Sequence, residues 1–346
     1  MGGIADAEHG VVVAIVARRP TCAEPENIVC SGTLIAPRAV LTAAHCLQGR
    51  EPDELEVLVG QDVAAPDAVL GVWSAAVHPG YDPLAAPEDA NDLALLVLDR
   101  EISIAPAMMA SSLPSELVVG ASVRLVGFGA IAPGGAVGWR LGADAVVDGV
   151  ASRALSTGDV GVPCGGDSGG AMFAMTAGGE RLVAVIKASG TGCMDAGLST
   201  RVDSSFASFI EPSLAVAAAT PAPDRPPFDP GTAYCAGACA AHADCPLGML
   251  CLPDAGAMHC GYRDARVARF GEVCDGSEGG PCVPVGQGQA RECRQLIAPC
   301  ELGGGGDDDG GCAAAPDGAV GAAMALLVLV FAIRREAAHR RHASRR

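Results

Sequence analysis

The chain is 346 residues long, half of them apolar and 18% charged, with fifteen cysteines and a formal net charge of −17. That length favours a core of roughly 200 residues with appended segments, and the acidic balance excludes nucleic acid and anionic membrane as main partners of the globular part. Fifteen cysteines favour disulfides and an oxidising compartment over a reduced cytosol.

The charge is uneven. Six arginines, Arg334, Arg335, Arg340, Arg341, Arg345 and Arg346, against Glu336 give +5 at the C-terminal end and leave −22 for everything before it. Lys187 is the only lysine among 23 basic residues, a bias that, beside abundant alanine and glycine, reads as nucleotide composition rather than chemistry. The opening Met1-Gly2-Gly3-Ile4 has no basic segment, long apolar run or cleavage site, so the expectation is a start from which a leader is missing.

Taken in order, Val11 to Val16, Ser31 to Ile35 and Ala39 to Leu41 are β-branched or apolar runs of strand length with turn residues between them. The last leads into Thr42-Ala43-Ala44-His45-Cys46. His78-Pro79-Gly80-Tyr81-Asp82 forms a turn in which His78 reads as structural and is assigned no role. Asn91-Asp92-Leu93-Ala94-Leu95-Leu96 then sets a carboxylate at the head of an apolar strand, and the proline-containing stretch Ala105 to Pro114 breaks the strand pattern as a connection. Further strands are expected at Val123 to Val126, Ala143 to Val147 and Leu182 to Ile186, with a closing helix over Arg201 to Ile210.

Cys164-Gly165-Gly166-Asp167-Ser168-Gly169-Gly170 is the stretch the rest serves. Its glycines let the backbone take conformations other residues avoid and leave amides aimed into open space, where they can stabilise an oxyanion. A serine hydroxyl is a poor nucleophile on its own, so the stretch predicts a histidine base and an orienting carboxylate elsewhere. His45 and Asp92 supply both, in the order His, Asp, Ser.

With TAAHC, NDLALL, CGGDSGG and the closing STRV of Ser199 to Val202, residues 1 to 211 resemble a trypsin/chymotrypsin-like serine protease. The resemblance implies an all-β fold of two six-stranded antiparallel β-barrels with a C-terminal helix, and a serine endopeptidase acting on polypeptides without cofactor or metal. It implies His45, Asp92 and Ser168 as catalytic residues and the N–H groups of Gly166 and Ser168 as the oxyanion hole. Cys30 would bridge to Cys46 and Cys164 to Cys193. In that family a new N-terminal amine, freed by an activating protease, pairs with the acidic residue before the nucleophile, here Asp167; the expectation is therefore a precursor processed by cleavage. Six positions before the nucleophile, where trypsin-like members hold an acid, stands Val162, followed by Pro163. Gly190 and Gly197 fall on glycine positions of the pocket walls, and Ser189 replaces the usual aromatic residue. An apolar floor favours uncharged P1 side chains, and Ala188 to Gly190 would offer a strand edge to the substrate. The alternative from another class is a catalytically silent, protease-like surface binding protein.

Beyond the protease domain the reading is a Pro/Ala-rich linker over 212–233, a cysteine-rich module over 234–300, a Gly/Asp linker over 301–311 and a sorting tag over 312–346. Nine cysteines crowd the module among few large apolar residues, and with no CxxC pair the reading favours disulfides over zinc despite His242 and His259. Cys22 is expected to pair with the module's odd cysteine. The Gly/Asp linker lacks the ligand spacing of a calcium loop. Gly318 to Ile333 is a charge-free run whose helix would span about 24 Å, short of a bilayer core of about 30 Å unless its flanking arginines snorkel. Cys312, this run and the arginine cluster resemble the MYXO-CTERM sorting tag. That resemblance implies processing or lipid attachment at Cys312 by a sorting machinery, a membrane anchor unless removed, and a protease at the cell surface or secreted.

Overall fold

The structure, a computed structural model, describes residues 3–17, 27–132, 134–158, 163–188, 193, 196–227, 237–247, 249–254, 257–262, 282–284 and 291–293. Six strands close the first barrel: β2 (Val12–Ala17), β3 (Asn27–Ala36), β4 (Ala39–Thr42), β5 (Leu55–Val59) and β6 (Ala68–Val77), with β7 (Ala94–Leu98), in the order β2-β3-β4-β7-β6-β5. All pairs are antiparallel, with Ile15 opposite Cys30 and Leu41 opposite Leu95. β4, β5 and β7 are buried along their whole length, so they read as continuous apolar runs rather than alternating ones. Val12, Ile15, Leu34, Leu41, Leu55, Leu70, Leu93 and Leu95 fill the interior. Branched side chains suit this pleated, enclosed surface.

The second barrel contains β8 (Ser122–Gly127), β9 (Leu141–Val150), β10 (Ala154–Thr157), β11 (Ala171–Thr176), β12 (Gly179–Ala188) and β13 (Gly197–Arg201). Strands β9-β10-β13-β12-β11-β8 form a sheet that closes through β8 and β9, and β1 (Ile4–Ala5) adds to the start of β9. β9 alternates, with Ala143, Ala145 and Val147 inside and Asp144, Val146 and Asp148 outside. This core is lined with small residues, Ala143, Ala145, Ala174 and Ala184, around Leu125, Leu155, Met172 and Ile186.

The expected helix at the domain's C-terminal end is present and runs beyond Arg201 to Ile210: a 3-10 turn (Asp203–Ser205) and a π turn (Phe206–Ile210) lead into α1 (Glu211–Ala219), which takes in the start of the 212–233 stretch read as a linker. Pro212 lies in the first turn of α1, where its missing N–H would have had no helical partner, so it starts the helix instead of breaking it. Ala217 of this segment is buried. Arg38 Nη1 donates to the Thr220 carbonyl at 2.8 Å and anchors the helix end to the first barrel.

Within the cysteine-rich segment, β14 (Met249–Asp254) and β15 (Ala257–Tyr262) form an antiparallel hairpin tied by Cys239–Cys251 and Cys245–Cys260. Four of the candidate zinc ligands are thus spent on disulfides. Cys245, Met249, Cys251 and Cys260 are buried in one continuous core with the first barrel and Phe209, so this hairpin is joined to the barrels by packing as well as by chain. β16 (Cys282–Pro284) pairs with β17 (Arg291–Cys293). Among the described residues no helix is long and apolar enough to cross a membrane; Cys22, Cys312 and the run 318–333 lie outside them.

Candidate active site

His45 sits in the 3-10 turn Ala44–Leu47 directly after β4. Cys46 in the same turn is bridged to Cys30 on β3, which fixes the backbone beside the imidazole. Asp92 precedes β7, the strand paired with β4, so two neighbouring strands of one barrel aim base and carboxylate at each other. The Asp92 carboxylate is 1% exposed and accepts twice from His45, Oδ2 from Nδ1 at 2.8 Å and Oδ1 from the backbone N–H at 2.9 Å. Burial opposes its ionisation, but the hydrogen bonds and charge of His45, with a smaller contribution from Lys187, hold its carboxyl below the usual carboxylate range. An Asp on Nδ1 sets the tautomer that leaves Nε2 as the proton acceptor.

Ser168 lies in the turn before β11, 7% exposed. Gly166 and Gly169 have φ of 96° and 81°, a region that favours glycine. At Gly169 a Cβ would stand 2.2 Å from the Ser31 carbonyl oxygen, so no larger residue fits. Of the turn's amides, Asp167 N–H donates to Cys164 O, Gly169 N–H to Ile186 O and Gly170 N–H to Asp167 O. Among the described residues the Gly166 and Ser168 amides donate to no protein acceptor. The Ser168 hydroxyl donates to the Lys187 carbonyl at 3.0 Å, and no hydrogen bond joins it to His45 Nε2. Lys187 in turn reaches across to the Pro87 carbonyl with Nζ at 2.9 Å.

Asp167 is fully buried. Its carboxylate accepts from the Gly129 and Cys164 amides, both at 2.8 Å, and Gly127 and Gly129 leave the room it occupies. Burial pushes its carboxyl up to about 6, against those two amides, which favour the charged form. Residues 1 and 2, on which the expected amine partner bears, lie outside the described residues.

The pocket positions are only partly in view. A disulfide joins Cys164 and Cys193. Gly197 faces Pro163, whose Cδ would lie 2.9 Å from an added Cβ. Ala188 ends β12, its side chain outside the description, as are Val162, Ser189 and Gly190.

Ser31 escaped the sequence reading. From β3 of the first barrel it donates its N–H to the Ser168 carbonyl at 2.7 Å and its hydroxyl to the Gly166 carbonyl at 2.8 Å, while its Oγ accepts the Phe128 N–H at 2.9 Å. Thr42 Oγ1 completes the clamp on the Ser31 carbonyl at 2.8 Å. A single serine in a strand carries no signal in sequence, because its partners are more than ninety positions away along the chain.

The chain resembles known proteases over this same region. It is 38% identical over 110 residues to human granzyme M, which is 31% of this chain and 42% of that protein. It is 35% identical over 123 residues to the CLIP domain-containing serine protease B10 of Anopheles gambiae, 29% and 34% of the two chains. It is 32% identical over 111 residues to the trypsin of Saccharopolyspora erythraea, 31% and 46% of the two. The matched stretches therefore span less than half of each of these relatives. The trypsin family model covers residues 4–210, more than half of the chain, and with both barrels and the His45–Asp92 pair in place the chain belongs to the trypsin family.

Proposed function

We propose that the protein is an exported serine endopeptidase that cleaves peptide bonds through an acyl-enzyme. The observation that carries this reading is the doubly hydrogen-bonded His45–Asp92 pair, with its carboxylate out of water, beside a serine in a glycine-built turn. Ser168 Oγ attacks the scissile carbonyl while His45 Nε2 takes its proton and returns it to the leaving amine. Asp92 holds the imidazole in the required tautomer and stabilises its charged form. The Gly166 and Ser168 amides receive the oxyanion, each worth about 3 kcal/mol in the transition state. In substrate-free sites the nucleophile–base hydrogen bond is often long and closes only in the complex, so the Ser168–Lys187 bond is read as the resting state. Val162, Pro163 and Gly197 frame a pocket for uncharged apolar P1 side chains, and Ala188 to Gly190 the edge against which the substrate extends. Asp167 receives a mature N-terminal amine after cleavage by an activating protease. Cys312 and the run 318–333 anchor the protein at the surface until a sorting machinery processes them.

A fluorophosphonate probe tests the chemistry. Labelling of the wild-type protein that disappears in Ser168→Ala supports the reading, and a fully folded, correctly processed protein that takes no label sinks it. A peptide-library profile rich in Arg or Lys at P1 would overturn the pocket assignment alone. A second reading, a catalytically silent binding protein, draws on one observation: the Ser168 hydroxyl is turned to Lys187 O and not to His45.

A further inference from the structure

The turn that delivers Asp92 is built around His78, which the chemistry above does not use. His78 follows β6, donates its N–H to Leu93 O at 2.9 Å and accepts the Tyr81 N–H on its own carbonyl at 2.8 Å, so its backbone ties both ends of the turn. Its Nδ1 accepts the Gly80 N–H at 3.0 Å. The Gly80 carbonyl accepts Asn91 Nδ2 at 2.9 Å, and the same amide donates to Asp89 O at 3.3 Å. Asn91, the residue before Asp92, has φ of 48°, a left-handed conformation that asparagine tolerates better than most side chains. On its other side the imidazole meets the Phe209 ring edge to face, with centroids 5.1 Å apart and planes at 60°.

An Nδ1 that accepts from an amide requires a neutral ring with its proton on Nε2. Burial, with a smaller contribution from the charge of Arg153, pushes the His78 imidazole down to about 4 and keeps it in that form at neutral pH. Arg153, in the turn between β9 and β10, is the charged group that faces it; Gly80, Leu93, Asn91 and Phe209 carry none, and Tyr81 is neutral in this range. A continuous path of contacts therefore runs from the Phe206–Ile210 turn through His78, Gly80 and Asn91 to Asp92.

We propose that His78 is a positioning residue for Asp92, bracing the 78–92 turn against Phe209 so that both carboxylate oxygens meet His45. The proposal rests on the endopeptidase reading of the same site. A catalytic group displaced by about 1 Å can lose on the order of a hundredfold in rate, so the brace acts on the chemical step and not on substrate binding.

The test is the rate of Ser168 labelling by a fluorophosphonate in the full chain, resolved into kinact and KI. In that step the serine oxygen bonds to phosphorus, the P–F bond breaks with fluoride leaving, and the hydroxyl proton passes to His45. His78→Leu keeps an apolar group against Phe209 but removes the acceptor; it is expected to lower kinact about 10- to 100-fold with KI unchanged. His78→Asn, whose side-chain oxygen can accept the Gly80 N–H, is expected to recover most of the loss. Wild-type kinact in folded His78→Leu overturns the proposal, and so does an equal loss in His78→Asn, which would mark a steric role. Should His78→Leu fail to fold, Asn91→Gly keeps the left-handed backbone and deletes the side-chain tethers to Gly80 and Asp89; a fall in its kinact supports the brace and no change overturns it. The low-field proton of the His45 Nδ1–H···Asp92 bond reads the pair without catalysis, so a protein that takes no label at all still answers. Its shift or loss in His78→Leu supports the proposal even if the endopeptidase reading fails, and an unchanged resonance overturns it.

Discussion

The two barrels contribute unlike halves of the site. In the first, whose core is branched aliphatic, His45 and Asp92 are joined by two hydrogen bonds beside the paired strands β4 and β7, and a disulfide ties the His45 turn to β3. In the second, whose core is lined with alanine, Ser168 rides on a turn of glycines with its hydroxyl on the Lys187 carbonyl. The His45–Asp92 pair is thus a folding product of one barrel. Ser168 is set by contacts that cross between barrels, above all those of Ser31.

The largest effects should break the chemistry in each half. Ser168→Ala is expected to lower kcat by about 10⁶ on a peptide substrate identified by library profiling, leaving only binding and the oxyanion amides. Asp92→Asn keeps the shape of the first-barrel half but favours the wrong tautomer, a change expected to cost about 10⁴ in kcat in a Ser-His-Asp arrangement. A ratio reversed between these two variants would mean that the finished pair, not the serine, carries the rate.

Buried charge separates the halves next, by sign. Asp92 titrates below the usual range, so it contributes stability above pH 3.8 that is lost as pH falls. Asp167 is the opposite case: with its folded value raised to about 6 from 3.8, its protonated form stabilises the fold below pH 3.8, and that contribution is lost as pH rises through about 6. The loss is on the order of 3 kcal/mol across the window. Chemical denaturation at pH 4 and pH 6.5 should show wild type losing stability relative to Asp167→Asn as pH rises, because the amide mimics the protonated carboxyl and does not titrate. A constant gap would show that the second barrel holds Asp167 without a protonation preference.

Ser31→Ala sharpens the comparison at the seam. It strips the hydroxyl from the Phe128 N–H and Gly166 O while leaving the Ser168 backbone bond, and should cost about 1–3 kcal/mol for the groups left unsatisfied. The melting transition should fall accordingly and fluorophosphonate labelling should slow. Labelling that slowed with no loss of stability would place Ser31 with the chemistry and not the fold.

What could be read from the sequence follows the same division. Local signals placed β2, β4, β8 and β9 within a few residues, because continuous or alternating apolar runs bounded by turns are a short-range property. His45, Asp92 and Ser168 each stand in a short pattern whose chemistry requires the others, and the structure joins the first two by hydrogen bonds. Pro212 misled for a physical reason: proline count argues against helix in the interior and for it in the first turn, and sequence does not say which applies. The roles of Ser31, His78 and the Lys187 carbonyl depend on partners brought together only by barrel closure. No periodicity encodes a carbonyl.

The smallest effect isolates burial from charge. Arg124 on β8 donates to Asp6 near the start of the chain and to Asp144 on β9, both at 3.1 Å, yet the Asp6 side chain is 2% exposed and that of Asp144 84%. Asp6 also accepts the Glu8 and His9 amides and the His9 ring, so its carboxylate organises residues 6–9 beside β9, whereas among the described residues Asp144 holds nothing else. Water screens the outer pair, and fixing two long side chains costs much of what the contact returns. Asp144→Asn should therefore change stability by about 0–0.5 kcal/mol, less still at high salt. Asp6→Asn should cost several times more, because it leaves a half-buried guanidinium and a buried imidazole facing a weaker acceptor. Equal losses in the two variants, measured by denaturant midpoint at low and high salt, would show that the network acts through the net charge of the second barrel and not through the enclosure of one carboxylate.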